Sequence, residues 1–219
     1  MLVYLGATNG TWVGGERAQE AEIANQGEFT LGSTTLMLIV TGGGTRSRHA
    51  YAIALDLGMS TGILAKLGQS ISEQNSLMIS TLLAPHGGVK IGQDEVVQLP
   101  AYLALGIIPV MHAMPPYGLW EEPAEKGRIP PHRTDAGALL TAEVLGAKRC
   151  ILVKGEKGLF TADPKKDPKA KFIPEIEINE LLAMDLADLA VERTMLQALA
   201  RARTVKEVLI INGREKGNL

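Results

Sequence analysis

Cys150-Ile151-Leu152-Val153-Lys154, followed by Lys157-Gly158-Leu159-Phe160-Thr161-Ala162-Asp163-Pro164, is an apolar run of strand length that ends in a lysine and opens into a loop bounded by glycine and proline. A continuous run of this kind suits a strand covered on both faces, which is the habit of parallel sheets sheathed in helices. Open α/β sheets bind their ligands just beyond the carboxyl ends of the strands. Lys154 ends its strand and therefore belongs at a ligand-facing edge, whereas Lys165 and Lys166 read as solvated surface.

Working outward, the same strand-then-turn pattern recurs. Residues 35–40 are a second apolar run, closed by Thr41-Gly42-Gly43-Gly44, and residues 46–57 then carry helical spacing with Gly58 as the stop. A second amphipathic helix is expected over 70–83, with Leu77, Ile79, Leu82 and Leu83 as core candidates. Residues 106–111 give another buried strand, leading into a long Gly/Pro/charge-rich excursion over 120–131. Thr134 is expected to cap a helix that Asp135 opens and Gly146 closes. Helices over 178–183 and 192–203 and a strand over 207–212 complete the pattern. Near the start, Leu2-Val3-Tyr4-Leu5 reads as a short strand. Residues 6–32 have little periodicity, and a helix is placed around 16–24. Strands alternating with helices argue an α/β fold with a mainly parallel central sheet. With no repeat and no linker, one domain is expected over 1–219, atypical over 1–33.

Composition narrows the function classes. The chain has 219 residues, 46% hydrophobic and 21% charged, enough for one sizeable core. A net charge of −2 offers no global basic field for nucleic acid or an anionic membrane. No apolar run reaches the ~20 residues of a membrane span. Cys150 is the single cysteine, so no internal disulfide can form, and its place in an apolar strand marks a structural thiol. A cytoplasmic location is expected on these grounds.

Three segments carry chemistry. Glycines at Thr41-Gly42-Gly43-Gly44-Thr45-Arg46 let backbone amides approach an oxyanion at a helix N-terminus, although the same residues also suit a tight strand-to-helix turn. Arg46 and Arg48 add guanidinium forks matched to tetrahedral oxoanions. Arg133-Thr134-Asp135 opens a second helix, whose amides can face an anion even while Thr134 caps it. Four histidines, His49, His86, His112 and His132, have no HxxxH or HxH spacing, which argues against a dedicated zinc site.

In this order, the glycine turn, Arg133-Thr134-Asp135-Ala136-Gly137-Ala138 and the 157–164 loop resemble the amino acid kinase family. The loop is similar to its nucleotide-binding loop, with Lys157 in place of the customary acid and Phe160 in place of tyrosine. Asp163-Pro164-Lys165-Lys166-Asp167-Pro168 and Met184-Asp185-Leu186-Ala187 resemble the bacterial uridylate kinase branch. A longer likeness, over about 35–219, is to the molybdenum-storage branch and its β-type subunits. It rests on Thr45-Arg46-Ser47-Arg48-His49, Met114-Pro115-Pro116-Tyr117-Gly118-Leu119-Trp120, Gly127-Arg128-Ile129-Pro130-Pro131-His132-Arg133-Thr134-Asp135-Ala136-Gly137 and Asn212-Gly213.

The resemblance implies a three-layer α/β/α sandwich that binds ATP with Mg2+ and stores molybdate or tungstate as polynuclear oxide clusters. It also implies a hexameric cage, built with a homologous subunit or from copies of one chain. Gly42, Gly43, Gly44 and Arg46 would then line the phosphate region, with Arg133, Thr134 and Asp135 facing phosphates or oxoanion. Lys154, Phe160, Asp163 and Pro164 would border the nucleoside. His49, Glu73, Gln74, His112 and His132 are the candidate cluster contacts. Asp56 resembles the uridylate kinase acceptor-binding acid, which keeps transfer of phosphate from ATP to UMP as an alternative. A silent nucleotide-binding structural subunit is a third.

Two departures bear on the chemistry. The family's first strand ends in Lys-Ile/Leu-Gly-Gly, and on spacing Tyr4-Leu5-Gly6-Ala7 takes its place, with Tyr4 at the lysine position. Phosphoryl transfer depends on charge neutralisation, so a phenol there implies poor transfer to a metabolite. The family pattern would also continue past Leu219 through a final glycine turn and strand.

Overall fold

Thr35–Thr41 (β5), Ile108–His112 (β7), Arg149–Lys154 (β8) and Val208–Asn212 (β11) form the frame on which the rest is hung. The computed structural model describes residues 2–6, 11–13, 16–18, 29–31, 35–124 and 126–215. Leu2–Gly6 (β1) and Gly88–Lys90 (β6) complete a six-stranded sheet in the order β11-β8-β1-β5-β7-β6. Thr11–Val13 (β2), Glu16–Ala18 (β3) and Phe29–Leu31 (β4) pair in a separate small sheet, β3-β2-β4. The helix expected around 16–24 is therefore a strand at 16–18, and its remaining positions lie outside the described residues.

The sheet is parallel except at β1. β5 pairs with β7, β6 with β7 and β8 with β11 in parallel, while β1 runs antiparallel to both β5 and β8. Polarity corrects the spacing-based placement of Tyr4. Its backbone lies opposite Met37 and Arg149, near the starts of β5 and β8. Five residues of extended chain, about 17 Å, separate Arg149 from Lys154. Tyr4 does not stand where a strand-end lysine would meet a nucleotide. The carboxyl ends that do gather at one edge are Thr41 beside His112 and Lys154 beside Asn212.

Helices cover the sheet in two layers. Gly44–Asp56 (α1) packs against Thr61–Leu83 (α2), which packs over β5, β6 and β7. Leu99–Ala104 (α3) packs on β7, and Thr134–Val144 (α4) lies on β8 and against Arg193–Leu199 (α6), which also meets Ile178–Ala183 (α5). Leu159–Phe160 (β9) and Phe172–Ile173 (β10) pair as a hairpin beyond β8. One apolar core joins the sheet to the α4 side, with Leu38, Val40, Met111, Leu139, Leu152 and Met195 almost wholly removed from water. Cys150 belongs to this core, and burial pushes its thiol up to about 12, in keeping with a structural role.

α2 departs from the expected amphipathic reading. Leu77 and Leu82 face solvent, and the buried face carries Gly68, Ser72, Ser76 and Ser80, one every fourth residue. Small side chains at this spacing bring the helix backbone close to the sheet. Thr41 Oγ1 donates to the Ser72 carbonyl at 2.8 Å, a contact only that close approach permits. α4 makes a comparable approach, since a Cβ on Gly137 would collide with the Ala113 carbonyl oxygen.

Candidate functional site

A cavity of about 460 Å³ lies at the carboxyl edge of the sheet, within the size range of small-molecule sites. Three structures build it: the turn after β5, the start of α4 and the end of β8. Gly42, Gly43 and Gly44 line it together with Arg133, Thr134, Asp135 and Lys154. Sequence segments more than a hundred residues apart are thus brought to one edge by the parallel strands. Phe160, Asp163 and Pro164 do not line it. Phe160 packs its ring 5.5 Å from that of Phe172, and Asp163 turns inward on its own loop, accepting the Lys165 amide at 2.9 Å.

The loop after β8 divides at Gly155. Lys154 and Gly155 face the first cavity, whereas Lys157, Gly158 and Leu159 border a second hollow of about 610 Å³ beneath α5, α6 and β11. Lys157 sits over the Phe172 ring at 4.3 Å, so the lysine in place of the customary acid serves the hairpin through a cation–π contact. The first cavity lies at the strand ends, where open α/β sheets bind ligands, and sets Arg48, Arg133 and Lys154 against Asp135 and Glu192.

α2 holds the glycine turn from behind. Asn75 Nδ2 donates to the Gly42 carbonyl at 2.6 Å, and Arg46 donates to Asn75 Oδ1 at 3.0 Å and to Gln74 Oε1. Arg46 is thereby tied to α2, and Arg48, two residues on, lines the cavity in its place. Ser47 is buried, lines the cavity, and its hydroxyl has no hydrogen-bond partner among the described residues. α1 starts with Gly43 at its N-cap and, among the described residues, no side-chain cap, and this helix start lines the cavity.

α4 begins differently. Thr134 is the first helical residue and not the cap; its hydroxyl packs on Gly42, where a Cβ would come within 2.9 Å. The capping is done by Glu192, whose carboxylate accepts from the amides of Arg133 (2.9 Å), Asp135 (3.1 Å) and Ala136 (3.1 Å). Burial, followed by repulsion from Asp135, pushes the Glu192 carboxyl above its ordinary range. Asp135 in turn accepts from Lys154 Nζ at 2.6 and 2.7 Å. Arg133 donates to the Pro130 carbonyl at 2.8 Å and lies 3.7 Å from Glu192. Glu192 escaped sequence reading because it is 57 residues from Asp135; a buried acid directly before α6 was its only signal.

The candidate cluster residues do not converge. His132 Nδ1 lies 3.1 Å from Glu121, an almost fully buried acid that also accepts the His132 amide. His112 Nε2 lies 3.5 Å from Glu73, and its Nδ1 is buried without a partner among the described residues. Desolvation lowers the His112 pKa to about 4 despite the neighbouring Glu73. Gln74 is engaged by Arg46, and His49 is exposed on α1. Among the described residues, no three His, Cys, Asp or Glu side chains stand together as one ion's ligand set. Asp56 ends α1 exposed and outside the cavity lining.

Residues 18–212 match the amino acid kinase family. The chain belongs to the amino acid kinase family. Within this family it is 47% identical over 183 residues to the molybdenum storage protein subunit beta of Azotobacter vinelandii, an alignment covering 84% of this chain and 68% of that subunit. It is 29% identical over 144 residues to the uridylate kinase of Pyrococcus abyssi, covering 66% of this chain and 57% of that enzyme. The UMP kinase of Ureaplasma parvum superposes with a TM-score of 0.62 at 20% identity, covering 81% of this chain and 73% of that one, which supports the kinase fold. The family match begins after Tyr4, in accord with the strand polarity that removes this residue from the site. Among the described residues, no helix is long and apolar enough to cross a membrane.

Proposed function

We propose that the chain is an oxoanion-storage subunit. It binds ATP with Mg2+ at the sheet edge and takes part in depositing molybdate or tungstate as polynuclear oxide clusters. The clusters lie inside a cytoplasmic cage, a hexamer formed with a homologous subunit or from copies of this chain. The 47% identity to a molybdenum storage subunit supports the cargo. Arg48 carries the anion-binding part. Of the charged residues lining the cavity, Arg133 and Glu192 oppose each other, as do Lys154 and Asp135, leaving Arg48 as the one cation of the lining without an opposing acid among the described residues, beside the start of α1. A cation, free amides and an unpaired Ser47 hydroxyl form a seat for phosphate or a comparable tetrahedral oxoanion.

Mg2+ binds with one or two carboxylates and phosphate oxygens, so a single facing acid suffices. Asp135 suits this role: it lines the cavity, and a carboxylate has acceptor positions beyond the two that Lys154 occupies. Bound there, Mg2+ would neutralise phosphate charge. His132 with Glu121, and His112 with Glu73, are the nitrogen–oxygen pairs open to cluster oxides or metal centres.

The test is a metal and nucleotide inventory of the undialysed protein purified after growth in molybdate. Molybdenum above background together with bound nucleotide is expected; absence of molybdenum and tungsten overturns the storage reading. Arg48→Ala should weaken ATP binding about tenfold or more, as expected for loss of a charge-assisted contact. The Asp56-Leu57-Gly58-Met59 likeness favours UMP phosphorylation instead. A coupled assay with UMP and ATP separates the two readings, and no turnover is expected.

A further inference from the structure

Two helix N-termini face the cavity, and they are not equivalent. The three amides at the start of α4 are already occupied by Glu192, a side chain only 6% exposed as a residue. Among the described residues α1 has no such occupant, and the unpaired Ser47 hydroxyl and Arg48 lie beside it. A helix start with three orphan amides is an anion site by construction, and the chain has filled one of its two with its own carboxylate.

We infer that Glu192 is the resident anion of the α4 N-terminus, which bars an external oxoanion from that seat and confines it to the α1 end of the cavity. This rests on the oxoanion reading of the cavity. Glu192 differs from an ordinary helix cap in reach and surroundings. It comes from the N-cap of α6, so one side chain staples the starts of two helices. The groups facing it are Arg133 and Asp135 at α4, Tyr51 from α1 and Tyr117 from the strap after β7, with Lys154 of β8 beyond Asp135. An entering tetrahedral dianion at α4 would find these amides already taken and would face Glu192 and Asp135, whose charges Arg133 and Lys154 offset without leaving a cation to spare. At α1 it meets Arg48. Selection between the two seats is thus electrostatic and built into the chain.

The experiment is calorimetric titration of the whole chain with inorganic phosphate, and separately with molybdate, for wild type, Glu192→Gln and Glu192→Ala. Wild type is expected to take one anion. Glu192→Gln keeps the side-chain shape and drops the charge, so the same seat should bind about fivefold to tenfold tighter. Glu192→Ala vacates the α4 amides, and a second anion per chain should appear, with excess formate competing for it. A carboxylate that merely held the fold together would produce weaker binding in both variants and no added site. If Glu192→Ala does not fold, the Glu192→Gln affinity decides alone. Unchanged or weaker binding in Glu192→Gln together with no second anion in a folded Glu192→Ala overturns the inference while leaving the oxoanion reading intact. No anion binding by wild type overturns that reading, and the inference with it.

Discussion

Glu192 and Glu143 sit at opposite ends of α4 and make nearly the same bonds with opposite electrostatic results. Glu192 accepts three amides at the start of the helix, and Glu143 accepts the amides of Arg203, Thr204 and Val205 near its end. Glu143 lies at the surface, where its backbone hydrogen bonds, led by Val205, hold its carboxyl below the ordinary range. Glu192 is buried beside Asp135, and desolvation outweighs its own three bonds, so its carboxyl is pushed up. His112 repeats the lesson with a base: burial lowers its pKa although Glu73 would raise it. Hydrogen bonding sets the direction of the shift for Glu143, and solvent exclusion sets it for Glu192 and His112.

The comparison can be broken first at Glu192. Removing its carboxylate leaves three buried amides unpaired, and Glu192→Ala is expected to cost about 3 kcal/mol in urea unfolding, the scale of breaking a buried charged network. A loss no larger than that of Glu143→Ala would show that burial adds nothing to the cap. Acid titration of stability is next. With its folded pKa near 4 and an unfolded value near 6.5, His112 contributes stability above 6.5 that is lost as pH falls towards 4. At about 1.4 kcal/mol per pKa unit, this is about 3 kcal/mol at most, and His112→Gln should flatten the loss.

The two glutamates should then tilt the pH profile in opposite directions. Because the folded pKa of Glu192 is raised, the folded state holds its proton longer, and stability falls as pH climbs from the ordinary carboxylate range to the raised value. Glu192→Gln should abolish that slope, and a slope that survives would rule out Glu192 as its source. The stability due to Glu143 is present above the ordinary carboxylate pKa and fades as pH drops through its lowered folded value. Glu143→Gln is expected to give the smallest effect of the set, visible at neutral pH and gone in strong acid.

Local chemistry was legible in the sequence where it depended on neighbours. The apolar runs became β5, β7, β8 and β11, and the glycine turn and Arg133-Thr134-Asp135 met at one cavity. What escaped depended on partners far along the chain. Spacing cannot show strand direction, so Tyr4 was aligned to an edge that β1 approaches backwards. Counting apolar residues in α2 selected Leu77 and Leu82, whereas packing selected the Gly68, Ser72, Ser76 and Ser80 face. Arg46 and Arg48 are equally plausible as letters; Gln74 and Asn75, on another helix, draw Arg46 away. Thr134 has good capping chemistry, but Glu192 takes its place with two acceptor oxygens.

Gly137 gives the site a mechanical asymmetry. Because even a methyl group there would strike the Ala113 carbonyl, α4 rests directly on the chain leaving β7, with no side chain between to act as a cushion. The two must travel together, making this wall of the cavity a stiff anvil. Glu192 is bonded to that same wall, so a ligand that tightens its surroundings would have to draw the α1 turn against it.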